Sequence, residues 1–422
     1  MNSVFALVDC NNFYASCEKL FRPDIKNTPA VVLSNNDGCV VARSKEAKAL
    51  GIKMGVPAFQ IWDMIQKHAV VVFSSNYALY ADMSNRVMQT LEALAPRVEV
   101  YSIDEAFLDL TAIDKVISLF DFGVEVKQTV FQNTGMAVCV GIAPTKTLAK
   151  LANYAAKKYP ATKGVLDMTD TKRQRKLMAI TPVNEVWGVG GRLTTRLAEL
   201  GILTALDLAD ANPKQMRRHF SVVMEKTISE LNGDSCLALE QVTPAKQQIL
   251  CSRSFGEVVF DKKVMQQLIS GYVARASEKL RAERLCCGHL QVFIRTSFFR
   301  KDGIQYSNAA TTRFPVQTND TRMLTKSAML LLDRIWKDGV PYAKAGVMFS
   351  ELTELSIQQA DLFCDQTTNH SKQLMALMDR VNTSKYGKIW LASQGQESPW
   401  TMKREHLSPA YTTRWDSLPI IQ

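Results

Sequence analysis

The stretch "VEVYSIDEAFLDL", residues 98–110, alternates apolar and polar residues as a strand does, yet Asp104 and Glu105 stand side by side in it. Desolvated carboxylates repel and carry a solvation cost unless something positive lies between them. The pair therefore sits at a solvated bend or holds a cation. A third acid, Asp9, ends the apolar run "SVFALVD", just before the helical pattern of "NNFYASCEKLF". Ligand-binding residues of α/β folds favour that place at a strand's C-terminal end. Sheet pairing can bring Asp9, Asp104 and Glu105 together. Carboxylates without His or Cys suit a hard cation, Mg²⁺, which keeps waters and takes substrate phosphates. Two such ions fit an in-line displacement at phosphorus.

The elements that must position these acids follow from pattern. "AVVLSN" and "CVVARS" read as strands around the turn signal "NNDG", and "KEAKALGI" as a helix stopped by Gly51. "AVVVFSS" is a strand, and residues 76–96 a long helix ending at Pro96. Strand, turn and strand follow through the acid pair, then a helix over about 114–134, the strand "MAVCVGIA" and a helix stopped by Pro160. The alternation with an antiparallel hairpin predicts a mixed-sheet α/β domain. Residues 183–242 read as helical with Gly-rich breaks, and residues 248–354 as strand-helix-strand-strand-helix-strand. The last stretch, 355–422, reads as irregular, with too little apolar pattern to fold alone.

Composition narrows the class. The 422 residues suffice for two to four domains, and a net charge of +10 favours a polyanionic partner. Nine Cys without paired spacing argue for reduced thiols and a cytoplasmic protein, and five His without metal spacing argue against His-based metal hydrolysis. No run is apolar enough to span a membrane, and the N-terminus does not read as a signal peptide.

The motifs "DCNNFYASCE", "SNNDGCVVARSKEAKALGIKMG", "SSNYALYADMSNRV", "YSIDEAFLDL" and "GIAPTKTLAKLANYAAKK" together resemble the Y-family translesion DNA polymerases. With "VWGVGGRL", "CSRSFGE", "YAKAGVM" and "LSPAYTTRW", the whole chain is similar to UmuC-like catalytic subunits of bacterial DNA polymerase V. The resemblance implies a multidomain α/β (α+β) right hand. A ferredoxin-like mixed-sheet palm and small fingers would fill 1–182, with the fingers at about 29–75. A helix-hairpin-helix thumb would fill 183–242 and an α/β little finger 248–354, followed by a partner-docking tail over 355–422. It implies error-prone, template-directed synthesis past damaged bases in the SOS response, on primer-template DNA and deoxynucleoside triphosphates.

The resemblance also assigns residues. Asp9, Asp104 and Glu105 match the catalytic acids, and the carbonyl of Cys10 a metal contact. Asn11 stands where many relatives carry a second acid, so it is left out of the ligand set. Tyr14 matches a steric gate against the ribose 2′-OH, whereas Phe13 reads as core. Lys45 and Lys48 share a helix face at i, i+3 where the family has Tyr and Arg on the triphosphate, and Lys157 matches a third triphosphate contact. Gly188, Gly190 and Gly191 match a hairpin whose backbone N–H groups approach DNA phosphates. "QADLF", with Gln359, Leu362 and Phe363, looks like a sliding-clamp peptide. A cleaved UmuD-type dimer and a RecA filament are further partners implied. A metal-dependent nuclease or cyclase on a palm-like sheet would share the three acids without gate, hairpin or clamp peptide. A non-enzymatic DNA-binding subunit would need none of them.

Overall fold

The computed structural model describes residues 3–111, 113–240, 244–298, 303–355, 369–384, 387–395 and 402–418. The strand β1 (Phe5–Cys10) is buried at all six positions, as a strand covered on both faces must be. It is followed by α1 (Phe13–Leu20), β2 (Ala30–Leu33), β3 (Val40–Arg43), α2 (Lys45–Ala49), α3 (Trp62–Lys67), β4 (Val71–Ser74) and α4 (Tyr77–Leu94). Then come β5 (Val98–Val100), β6 (Glu105–Asp109), α5 (Leu119–Thr134), β7 (Val138–Ala143), α6 (Lys146–Lys158), β8 (Val165–Asp167) and α7 (Thr171–Ile180). Strand order in the main sheet is β5-β6-β1-β7-β8, so β1 lies at its centre. Its pairs are antiparallel except β7 with β8, which gives the mixed sheet expected.

The first 74 residues also build a second, three-stranded sheet, β3-β2-β4, with a core of its own around Val31, Leu33, Val40, Ile52 and Ile65. A separate core lets this small lobe fold as its own unit of packing. One boundary shifts: the helix expected over about 114–134 starts at Leu119. Ser118 caps it by accepting from the Asp121 N–H, and a single 3₁₀ turn, Ile113–Lys115, precedes it. A Ser-x-x-Asp cap is a stronger start signal than the apolar periodicity read across it.

The helix α6 lies directly on β7 at Gly141. A Cβ there would stand 2.2 Å from the Asn153 backbone nitrogen and 2.5 Å from the Ala149 carbonyl oxygen, so the contact requires glycine. The Asn153 amide then donates to the Leu7 and Cys139 carbonyls at 3.1 and 2.8 Å, joining helix to sheet.

Four short helices follow: α8 (Gly191–Glu199), α9 (Ala205–Asp210), α10 (Pro213–His219) and α11 (Val222–Leu231). Their apolar faces share one cluster with Leu148, Leu151 and Ala155 of α6. The buried Glu230 fastens the last of them. One carboxylate oxygen accepts from the Thr147 N–H at the start of α6, the other from the N–H groups of Cys236 and Leu237.

A second unit, residues 244–403, contains β9 (Gln248–Val259), α12 (Lys262–Ala282), β10 (Leu285–Arg295), β11 (Ser307–Thr318), α13 (Thr321–Ile335) and β12 (Tyr342–Glu354). These strands pair antiparallel in the order β11-β10-β12-β9, and α12 and α13 pack on the sheet. The stretch after 355 is more regular than its sequence suggests, for α14 (Asn369–Thr383) is a 15-residue helix. Polar contacts hold much of it: Arg281 grips Asp379 through two 2.7 Å bonds, and Arg322 reaches Ser371 at 2.8 Å. Met375 is buried while Leu374 and Leu377 stay exposed, so no clear apolar stripe advertises the helix. Residues 404–422 return to the first unit, residues 1–243. Gln359, Leu362 and Phe363 lie outside the described residues. Among the described residues, no helix is long and apolar enough to cross a membrane.

Candidate active site

Asp9 stands directly opposite Glu105 in the β1–β6 ladder. Opposed residues of an antiparallel pair project to one face with Cβ atoms about 4.5–5.5 Å apart, so the two carboxylates confront each other. Asp104 occupies the bend before β6. Its carbonyl accepts from the Cys10 N–H at 2.9 Å, and its Oδ1 from the Ser102 hydroxyl at 2.7 Å. The Ser102 Oγ in turn accepts from the N–H groups of Asp104 and Glu105. The adjacent acids thus straddle a bend and a strand end, which brings them to β1 by both backbone and ladder.

Charge explains why the arrangement needs cations. Asp9 is 8% exposed. Burial pushes its carboxyl up to about 7; the Lys157 ammonium opposes that rise and Glu105 adds to it. Lys157 forms an ion pair with Asp9, and Lys150 pairs with Glu105 at 3.1 Å. Among the described residues no three acidic, thiol or imidazole side chains form a ready metal cluster. The backbone brings all three acids together, but Asp104 is turned onto Ser102 and two lysines neutralise the other pair. The donor chemistry still fits a hard divalent ion: oxygen ligands alone, two of them opposed, with a strong local demand for positive charge. Burial pushes the Cys10 thiol up and keeps it protonated, so only its backbone is available as a ligand.

One stripe of α6 reads this end of the sheet. Lys146 pairs with the buried Glu99, Lys150 with Glu105, Asn153 with the Leu7 and Cys139 carbonyls, and Lys157 with Asp9. Their spacing i, i+4, i+7, i+11 keeps them on one face. Lys150 was not singled out from sequence, although this spacing would have found it. Its ammonium also lies over the rings of Tyr101 at 4.3 Å and Trp187 at 5.1 Å, a desolvated cation–π setting. Trp187 adjoins Gly188, so the Gly-rich turn touches the acid's partner through one indole.

On the other side of Asp9, Asn12 adopts a left-handed conformation, φ +52°, and its side chain accepts from Lys48 instead of capping α1. Left-handed Asn is affordable because its short polar side chain bonds locally. Lys48 has its pKa lowered by partial burial, then by Arg43 and Lys157, while Asp9 opposes. Lys48, Lys157 and Arg43 therefore share one field beside Asp9. Arg43 was missed from sequence, being one more polar residue at a strand end. Lys45 is exposed at the first turn of α2 and has no such contacts described.

Tyr14 is half-buried on α1, whereas Phe13 is core. The Tyr14 ring stacks on Tyr80 of α4, centroids 4.4 Å apart and planes 16° apart, and meets Tyr77 edge-on. The Tyr80 hydroxyl donates to the buried Glu18 at 2.6 Å. The gate candidate therefore has a rigid aromatic floor. In the Gly-rich turn, Gly188 has φ +87° and Gly190 precedes α8, and no atom approaches where a Cβ of Gly188, Gly190 or Gly191 would lie. Their backbone faces open space, as a phosphate contact requires.

The chain is similar to known proteins along nearly its whole length. Residues 8–154 match the impB/mucB/samB family and residues 246–362 its C-terminal domain, while residues 372–421 match a domain of unknown function. The chain is 52% identical to Protein SamB of Salmonella typhimurium over 419 residues, 99% of each chain. It is 51% identical to Protein UmuC of the same species over 418 residues, 98% of this chain and 99% of that one. DNA polymerase IV of Pelotomaculum thermopropionicum is 28% identical over 391 residues, 90% of this chain and 92% of the other. A solved Y-family DNA polymerase chimera shares the fold with a TM-score of 0.66 at 23% identity, covering 83% of this chain and 99% of its own. The chain belongs to the impB/mucB/samB family, is UmuC-like along nearly its whole length, and has the fold of a Y-family DNA polymerase.

Proposed function

We infer that the chain is a DNA-directed DNA polymerase that carries out translesion synthesis. The observation that carries this reading is the opposition of Asp9 and Glu105 at strand ends, with Asp104 beside them, Lys48 and Lys157 beside Asp9 and Tyr14 close by on α1. A polymerase needs just these functions: acids for divalent cations, cations for a triphosphate, and a ring against the sugar. Asp9, Asp104, Glu105 and the Cys10 carbonyl would hold two Mg²⁺ ions, which supply an activated 3′-hydroxyl and neutralise the leaving pyrophosphate. Lys157 and Lys48 would receive the triphosphate, with Lys45 at the outer edge of the same helix face. Gly188, Gly190 and Gly191 would present N–H groups to the duplex backbone without reading bases.

The partners follow at the same level of proposal. Gln359, Leu362 and Phe363 would dock on a sliding clamp, and a processed UmuD-type dimer and a RecA filament would activate synthesis during the SOS response. A nuclease or cyclase would need no ring beside the acids and no open glycine turn. The deciding experiment incubates the chain, with and without the UmuD-type dimer and RecA filament, with primed template, Mg²⁺ and nucleotides. Extension of the primer past an abasic site is expected. Shortening of the primer, or a cyclic nucleotide product without extension, would sink the polymerase reading. Adding clamp should enhance extension by the wild-type chain more than by a Leu362→Ala, Phe363→Ala chain; equal enhancement would retire the docking peptide.

A further inference from the structure

The segment that matches a domain of unknown function, residues 372–421, contains "EHLSPAY", residues 405–411, and this stretch packs on the end of β4, the start of α4 and the end of α1. The His406 carbonyl accepts from the Ser74 N–H at 2.9 Å, and the His406 N–H donates to the Ser74 hydroxyl at 3.1 Å, extending the end of β4. The Glu405 N–H donates to Asp37, in the loop between β2 and β3, at 3.0 Å. The Asn76 amide, at the N-cap of α4, donates to the Ser408 hydroxyl at 2.9 Å and to the carbonyls of Ser408 and Pro409. Tyr411 is 7% exposed and joins the main core, stacking on Phe21 at the end of α1 with centroids 4.7 Å apart and planes 12° apart.

Seven consecutive residues thus tie together the small sheet, the start of α4 and the end of α1. The helices α1 and α4 carry Tyr14 and its stacking partner Tyr80. Ser408 meets α4 at its N-cap Asn76, whose carbonyl accepts from the Tyr80 N–H at 3.0 Å, and Tyr411 meets α1 at Phe21, the residue that ends it. We propose that residues 405–411 are a strap that positions the sugar pocket from behind, so that Ser408 and Tyr411 are specificity-determining positioning residues of the polymerase. The tail then serves the insertion site as well as any partner. The proposal rests on the polymerase reading and on Tyr14 as the gate.

The test uses the full chain with Tyr411→Ala, Tyr411→Phe, Ser408→Ala and, as a control in the same tail, Trp415→Ala, whose side chain is exposed. Single-nucleotide insertion on a short primer is measured with deoxy- and ribonucleotides, without clamp, and amide exchange is followed in α1. Tyr411→Ala should raise KM for the deoxynucleotide about tenfold, with a smaller change in kcat. It should also narrow the deoxy/ribo preference and speed exchange across residues 13–20. Tyr411→Phe should restore all three, because the ring makes the contact, and Trp415→Ala should match wild type. Where Tyr411→Ala fails to fold, Ser408→Ala decides by the same readouts in a milder form. Wild-type KM, preference and α1 exchange in the folded variants would overturn the strap. Failure of the wild-type chain to extend a primer would instead remove the polymerase reading, while α1 exchange would still report on the strap.

Discussion

Asp104→Asn and Glu105→Ala are each expected to lower nucleotide addition by at least roughly a thousandfold, the equivalent of about 4 kcal/mol of barrier. Each removes a negative oxygen donor from a set of three. In the Glu105 variant the Lys150 ammonium, 3.1 Å from that carboxylate, also loses its partner. Lys150 is held over three rings, so its ammonium is left facing the vacated place and repels a divalent ion. Asp104→Asn is the milder change in shape, for an amide oxygen can still accept from Ser102. Its loss of activity must therefore come from charge. Primer-template affinity should change little in either variant, because phosphate contacts by basic residues dominate it. Single-turnover insertion, with affinity measured by fluorescence titration at fixed salt, checks both halves. Near wild-type insertion by Asp104→Asn would remove that residue from the ligand set.

Tyr14→Ala should change sugar selectivity more than anything else. The ring stacks on Tyr80, and that floor is fixed by the hydroxyl bond to Glu18. Deleting the ring leaves a space bounded by Tyr80 and Tyr77, large enough for a hydroxyl and too rigid to collapse. Ribonucleotide insertion should rise on the order of a hundredfold relative to deoxynucleotide insertion, about 3 kcal/mol of lost discrimination. DNA affinity should stay within roughly a factor of two, since no phosphate contact is removed. The ratio of kcat/KM values for the two sugars is the measurement. An unchanged ratio would place the gate elsewhere.

Much of this was legible in the chain. Strand β1, the acid hairpin and the helix ending at Leu94 follow from apolar runs, alternation and a proline stop. The order of elements in residues 248–354 follows from the same signals. What stayed hidden depends on contacts distant in sequence. Lys150 reads as one of several lysines on a basic helix until Glu105 and Trp187 are folded against it. The helix α14 hides because Arg281 and Arg322, each roughly 50 or more residues away, hold it in place of an apolar stripe. Tyr411 reads as a tail aromatic, and only the fold sets it on Phe21. Asp104 shows the reverse case: its type was legible, but its side chain is turned to Ser102, which no spacing reveals.

The clasp that Glu230 makes with the N–H groups of Cys236 and Leu237 has a practical consequence. Among the described residues Cys236 is the one exposed thiol, while Cys10, Cys17, Cys139, Cys251, Cys286 and Cys287 are buried and Cys39 is partly covered. In a Cys364→Ser chain a maleimide dye should therefore favour the end of the chain leaving α11, where the backbone is pinned and the thiol is exposed. Such a dye would be a built-in optical probe of whether that exit stays fastened when the protein takes up a primed template.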